Sequence, residues 1–221
     1  MMNALQFTRL VDPTLLGRSG SVFYTGRAAF SNPARLYILG LNPGGSPESQ
    51  AGETIGRDLE DWARLPARWS AYKDGSWQGA TPGTWGMQPR ILHMLDKLGL
   101  DPYDIPASNV VFVRSSSESH LAREKSGLLE RCWPVHRAVI ERLGASTLLC
   151  LGGTAGRWVR NYLQADKLQN RFRERNARGW TSEAHLGPNG VCVLTVTHPG
   201  RADWRNPAAD PTPLVKEMLE R

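Results

Sequence analysis

The sequence predicts an α/β fold: a three-layer αβα arrangement around a central four-stranded parallel sheet, in a single domain over residues 1–221. Four short, near-continuous apolar runs, at residues 36–41, 110–113, 147–151 and 191–197, read as strands buried on both faces. Helical spacing fills the segments between them, and strands alternating with helices give a parallel sheet layered between helices. The first and last runs each lead into a polar turn, Asn42-Pro43-Gly44 and His198-Pro199-Gly200. In an open parallel sheet the C-terminal strand ends share one edge, where ligands bind, so these two distant turns are expected to face one pocket.

Taken in order, the first strand is followed by an unusual stretch, residues 45–86, which holds Trp62, Trp69, Trp77 and Trp85 among several glycines and prolines. A short helix over 58–68 is expected there, and the rest reads as a long excursion over the sheet edge, where ordered loops usually serve function. Residues 87–98 place Ile91, Leu92, Leu95 and Leu98 on one helical face, ended by Gly99. After the second strand, residues 128–143 repeat that pattern up to Gly144. The third strand leads into a helix over 154–163 with Thr154 as its expected N-cap. A last helix over 213–219 follows Pro211.

Composition narrows the function classes. A chain of 221 residues, 40% hydrophobic and 22% charged, is that of an ordinary soluble domain with length for a real core. It contains no run of about eighteen apolar residues, so no membrane span is expected. The start, Met1-Met2-Asn3-Ala4-Leu5-Gln6, shows neither a basic leader nor an apolar stretch, and a cytoplasmic location is expected. Cys132, Cys150 and Cys192 are far apart, with no CxxC pair; they read as buried free thiols, with no zinc or iron–sulfur centre.

The net charge of +6 is uneven: residues 1–110 hold ten cations and ten acids, whereas residues 111–221 hold seventeen and eleven. Within the second half, Lys167, Arg171, Arg173, Arg175 and Arg178 cluster around Phe172 with Glu174 as the one acid. Such a cluster can track a phosphate backbone, and a solvated arginine-rich loop is an equal reading of it.

Several polar residues are candidates for chemistry. A side-chain amide held at a strand end, as at Asn42, can orient a water molecule, although Asn-Pro-Gly is also a plain turn signal. A neutral imidazole at His198 can donate a hydrogen bond to charge developing on a leaving group; removing one such donor costs roughly 2.7–4 kcal/mol of transition-state stabilisation. Gly152 and Gly153 open a helix and leave free backbone N–H groups, a weak anion-site signal. The loop Arg114-Ser115-Ser116-Ser117-Glu118-Ser119-His120 is dense in hydrogen-bonding groups on the expected binding edge.

In order and spacing these segments resemble the uracil-DNA glycosylase superfamily. Gly40-Leu41-Asn42-Pro43-Gly44 is similar to its first motif in the mismatch-specific form, which implies that Asn42 positions the hydrolytic water, with Gly40, Leu41, Pro43 and Gly44 around the substrate. His198-Pro199-Gly200-Arg201 is similar to the second motif in its histidine form. It implies that His198 stabilises the departing base anion while Gly200 and Arg201 contact DNA. The segment 86–98 with Asn109-Val110-Val111-Phe112-Val113-Arg114 is similar to the family's helix and second strand, and Leu151-Gly152-Gly153-Thr154-Ala155 to its third strand end.

The same resemblance puts Ser115, Ser116 and Glu118 where uracil-specific branches read the base edge with an asparagine. Ala202 stands at the wedge position, and Trp85 or Trp77 is the candidate to stack on the base. Thr154, Arg171, Arg173 and Arg175 join Gly200 and Arg201 as expected DNA contacts. The implied protein is a monomeric, monofunctional DNA glycosylase without metal or other cofactor, acting on DNA with a damaged or mismatched base. Two alternatives stay open on the sequence: a catalytically drifted nucleic-acid binder of the same fold, and a nucleotide or nucleoside hydrolase.

Overall fold

Apolar side chains on both sides of a strand require cover on both sides, and the chain supplies it. In the computed structural model, which describes residues 4–221, strand β1 (Leu36–Gly40) sends Leu36 and Ile38 into one core and Tyr37 and Leu39 into another. Strand β3 (Thr147–Leu151) divides in the same way, with Leu148 and Cys150 on one face and Leu149 and Leu151 on the other. This period of two, apolar on both faces, is why such strands read as unbroken runs in sequence.

Helices α1 (Ile55–Arg64), α4 (Lys125–Leu143) and α5 (Gly153–Leu163) supply Ile55, Leu128, Trp133, Trp158 and their neighbours to the first core. Helices α2 (Gln88–Lys97) and α6 (Thr212–Glu220) supply Ile91, Met94, Leu214 and Met218 to the second. The short helix α3 (Glu118–Arg123) follows the second strand and went unread in the sequence.

The sheet corrects the expectation of four parallel strands. Among the described residues it has six, in the order β2-β1-β3-β6-β5-β4. The strands β2 (Ala107–Asn109), β1, β3 and β6 (Cys192–Val196) run parallel; β5 (Thr181–Leu186) is antiparallel to β6, and β4 (Lys167–Arg173) to β5. The added hairpin was hidden because neither strand carries an apolar run. β4 is a largely exposed edge, and its lysine and arginines are what an open edge carries to discourage pairing with other chains. Lys167, Arg171 and Arg173 of the arginine-rich segment therefore lie on a strand, and Arg175 and Arg178 in the turn that follows it.

Three boundaries also move. β2 ends at Asn109, opposite Gly40, so residues 110–113 lie beyond the ladder although they are buried. Thr54 caps α1 by accepting from the Arg57 amide, which starts the helix three residues before the expected Asp58. Gly152, not Thr154, occupies the N-cap of α5, and the Thr154 hydroxyl instead donates to Glu118 (2.8 Å). Cys132, Cys150 and Cys192 are free and buried. Among the described residues no helix is long and apolar enough to cross a membrane.

Candidate active site at the sheet edge

The four parallel strands end along one edge, and a cleft of about 1380 Å³ opens there. In sheet order the residues at or just past these ends are Asn109 (β2), Asn42 (β1), Gly152 (β3) and His198 (β6), and all four line the cleft. Asn42 and His198 thus share one hollow, separated by two strand spacings, a span of roughly 10 Å.

Asn42 is held by its amide nitrogen, which donates to the Pro43 carbonyl (2.8 Å) and the Ser115 carbonyl (3.2 Å). Both neighbours are acceptors, so the NH₂ end must face them and Oδ1 faces away. No donor among the described residues reaches Oδ1, which leaves a fixed acceptor at the strand end.

His198 is fixed from the opposite polarity. The Gly200 N–H donates to its Nδ1 (3.0 Å), so that nitrogen carries no proton and Nε2 carries the N–H. Burial first, and then the charge of Arg201, push its pKa below the ordinary imidazole value, with Glu118 pulling the other way. The ring is a neutral Nε2–H donor at neutral pH. It lies against Gly152, whose φ of +104° and whose missing Cβ, which would stand 3.3 Å from the ring Cδ2, both call for glycine.

Asn109 is the residue that sequence reasoning passed over. It is 5% exposed and lines the cleft; its amide nitrogen makes no hydrogen bond of ordinary length and its polar neighbour is the Tyr24 hydroxyl, whose ionised form it favours. Its side chain lies across Gly40, where a Cβ would sit 2.1 Å from Oδ1; this explains the glycine that ends β1. An amide held beside a tyrosine hydroxyl at a strand end keeps a second N–H that can donate to a group entering the cleft. Thr195 and Thr197 repeat the pattern, with unpaired buried hydroxyls on residues that line the same cleft. The available signal is a polar residue closing an apolar strand, obscured because the apolar residues 110–113 read as the strand itself.

The other wall is aromatic and acidic. Tyr24 stacks on Tyr72 (6.3 Å between ring centroids), and Trp77 meets Tyr72 edge-on (6.1 Å). Burial holds the Tyr24 hydroxyl protonated, with its pKa pushed up to about 12. Asp58, on α1, also lines the cleft; burial raises its carboxyl to about 6, opposed by the Val22 N–H it accepts (2.9 Å).

Of the residues singled out in sequence, Gly40, Leu41, Gly44, Trp85, Glu118, Thr154 and Arg201 also line the cleft. Glu118 and Thr154 are bonded to each other there. Pro43 and Gly200 stand behind Asn42 and His198, giving each a backbone hydrogen bond. Ser115 and Ser116 do not line the cleft; they face a separate hollow of about 350 Å³ with Arg18, Glu48 and His120, and Ser115 serves Asn42 through its carbonyl. Arg171, Arg173 and Arg175 lie on β4 and just past it, outside the cleft lining, because that strand is at the far side of the hairpin. Ala202 is buried and cannot act as a wedge. Trp77 is packed into the wall, whereas Trp85 is 47% exposed at the lip.

Among the described residues no group of three or more His, Cys, Asp or Glu side chains is placed to hold a metal ion. No protein-family model and no curated protein matches this chain.

Proposed function

We propose that this chain is a monofunctional DNA base-excision glycosylase of the uracil-DNA glycosylase superfamily, a monomeric cytoplasmic enzyme of three-layer αβα fold. It would hydrolyse the N-glycosidic bond of uracil or a related damaged or mismatched base after rotating the nucleotide out of the stack. One observation carries this reading: a fixed acceptor at Asn42 and a fixed neutral donor at His198 face the same cleft, with the Asn109 amide between Tyr24 and that cleft.

The chemistry follows from those polarities. As the bond between C1′ and the base nitrogen breaks, its electron pair leaves with the base and positive charge builds on the sugar. The Asn42 Oδ1 accepts a hydrogen bond from water and holds that water toward C1′, removing its orientational freedom before attack; the proton that the water sheds on bonding to C1′ passes through solvent to the departing base anion. The His198 Nε2–H donates to a base oxygen that gains negative charge, an interaction stronger in the transition state than before it. The Asn109 amide donates to a carbonyl on the base edge, which suits uracil, hypoxanthine or thymine. No lysine stands beside either turn, so water rather than an amine is the nucleophile.

The test is a panel of oligonucleotides containing uracil, hypoxanthine or mismatched thymine, scored for abasic sites. Abasic product from at least one, lost in Asn42→Ala and His198→Ala, is the expected result. Salt-dependent binding without abasic product would instead mark a drifted binder, and cleavage of free nucleosides with indifference to DNA a small-molecule hydrolase.

A further inference from the structure

We infer that the cleft takes a single-stranded stretch of nucleic acid, with bases flanking the extruded one stacked on the indoles of Trp85 and Trp180. The chemistry between these two positions rests on the glycosylase reading; the binding does not.

Tryptophan usually buries most of its surface, yet Trp85 is 47% and Trp180 40% exposed, and both line the same cleft. Trp180 stands just before β5, at the end of the hairpin turn. The Arg178 guanidinium lies over its ring (4.4 Å), and Arg178 is itself held by the buried Glu174 carboxylate (3.0 Å) and by the Arg201 carbonyl. That indole is therefore pre-set and tied to the turn that carries His198. Trp85 is anchored to the same region: its amide is bonded to Gln88 at the start of α2 (3.0 Å), and Arg90 of the same helix reaches Asp203 (3.4 Å) in the segment after that turn. A continuous rim thus runs from Trp85 through 201–205 to Trp180.

Charge and size favour one occupant. Glu53, Asp58 and Asp61 line the cleft toward α1, where Arg114 pairs with Glu53 (2.8 Å); Arg157 and Arg201 line it toward α5 and the His198 turn, with Arg178 bonded to the Arg201 carbonyl and Glu118 as the acid among them. A phosphate backbone is steered to the arginine side, leaving its bases to face the aromatic residues. The cleft, at about 1380 Å³, exceeds the roughly 300–1,000 Å³ of a site that closes over one small ligand. In a duplex the neighbouring bases are already stacked and paired, so the two indoles on this rim reach their faces only when the strand is free. Base–aromatic stacking is worth about 1–3 kcal/mol per base and is indifferent to sequence.

The experiment measures fluorescence anisotropy of a short fluorescein-labelled oligo-dT, alone and annealed to oligo-dA. Tighter binding of the single strand is expected. Trp85→Ala and Trp180→Ala should each weaken it by roughly 5- to 150-fold, the stacking energy converted at tenfold per 1.4 kcal/mol. Duplex affinity should stay unchanged and Trp180→Phe should restore most of the loss. Equal affinity for both forms, or variants that leave single-strand binding intact or weaken both forms alike, would overturn the inference. Abasic-site assays run in parallel separate the two claims. Single-strand binding without excision sinks the glycosylase reading alone, and excision with duplex-preferring binding sinks the stacking platforms alone.

Discussion

Two histidines show how the interior of this molecule differs from the cleft at its sheet edge. His136, on α4, is fully buried, and both ring nitrogens are partnered: the Tyr37 hydroxyl lies at Nδ1 (2.9 Å) and the Val110 carbonyl at Nε2 (3.1 Å). His198 has a partner at Nδ1 alone, and Nε2 is left to the cleft. Burial keeps both rings neutral, lowering His136 to about 4 and shifting His198 in the same direction. Protonation state does not distinguish them; completeness of hydrogen bonding does. Incompleteness alone is not the mark either, since the His185 Nδ1 is also unpaired and lines no part of the cleft. An unfinished polar group marks a candidate site where its residue lines a cavity shared with others of the same kind, as Asn109, Thr195 and Thr197 do.

The largest expected effect separates the two histidines by activity. His198→Ala and Asn42→Ala should each lower single-turnover excision by about 10²–10³-fold, the usual loss when one transition-state hydrogen bond is removed. Their unfolding midpoints should stay close to wild type, because neither side chain fills the core. His136→Ala should do the reverse. It strands the Tyr37 hydroxyl and the Val110 carbonyl and leaves a cavity, at a cost of about 3 kcal/mol or more. At roughly 2–4 °C per kcal/mol for a chain of this size, thermal unfolding should drop by about 6 °C or more, with excision per folded molecule unchanged. A His198 variant that unfolds, or a His136 variant that is stable and inactive, would break the comparison.

Asn109 sharpens it further. Asn109→Leu removes the amide beside Tyr24 while keeping an apolar side chain of similar size at the end of β2. Stability should hold while excision falls by about tenfold or more. A residue that served the fold would show the opposite pair of changes under the same denaturation and single-turnover measurements.

What the sequence made legible follows from the same distinction. Strands β1, β3 and β6 were plain because burial on both faces forces an apolar run. Asn42 and His198 were plain because a polar residue interrupts that run at a turn. β4 and β5 were illegible for the matching reason: an exposed edge and its half-buried neighbour have no such constraint, and a string of arginines reads equally as loop. Asn109 was misplaced by three residues of register. Val110, Val111 and Phe112 are as apolar as a strand and fully buried, yet the ladder with β1 has already ended at Gly40. Trp180 had no signal at all, because its place at the lip depends on the hairpin.

The smallest expected effect concerns pH and places Asp58 against His136. Asp58 has its folded pKa raised from 3.8 to about 6, so between those values the folded chain binds the extra proton. Its contribution is therefore greatest in acid and is lost as pH rises through about 6. His136 has the opposite sign: its folded pKa is lowered from 6.5 to about 4, the unfolded chain binds the extra proton in that window, and stability is lost as pH falls through it. Between about pH 4 and 6 the two slopes oppose each other. Asp58→Asn keeps an acceptor for the Val22 amide while removing the charge, so it should stabilise at pH 8 and change little at pH 4. The gain should be about 1 kcal/mol, discounted because the carboxyl is partly solvated, and read as a rise of roughly 2–4 °C. With the Asp58 slope removed, acid destabilisation of the variant below pH 6.5 should be steeper than that of the wild type. Equal gains at both pH values would mean that Asp58 acts through packing rather than charge, and that the cleft's acidic wall is structural in the way His136 is.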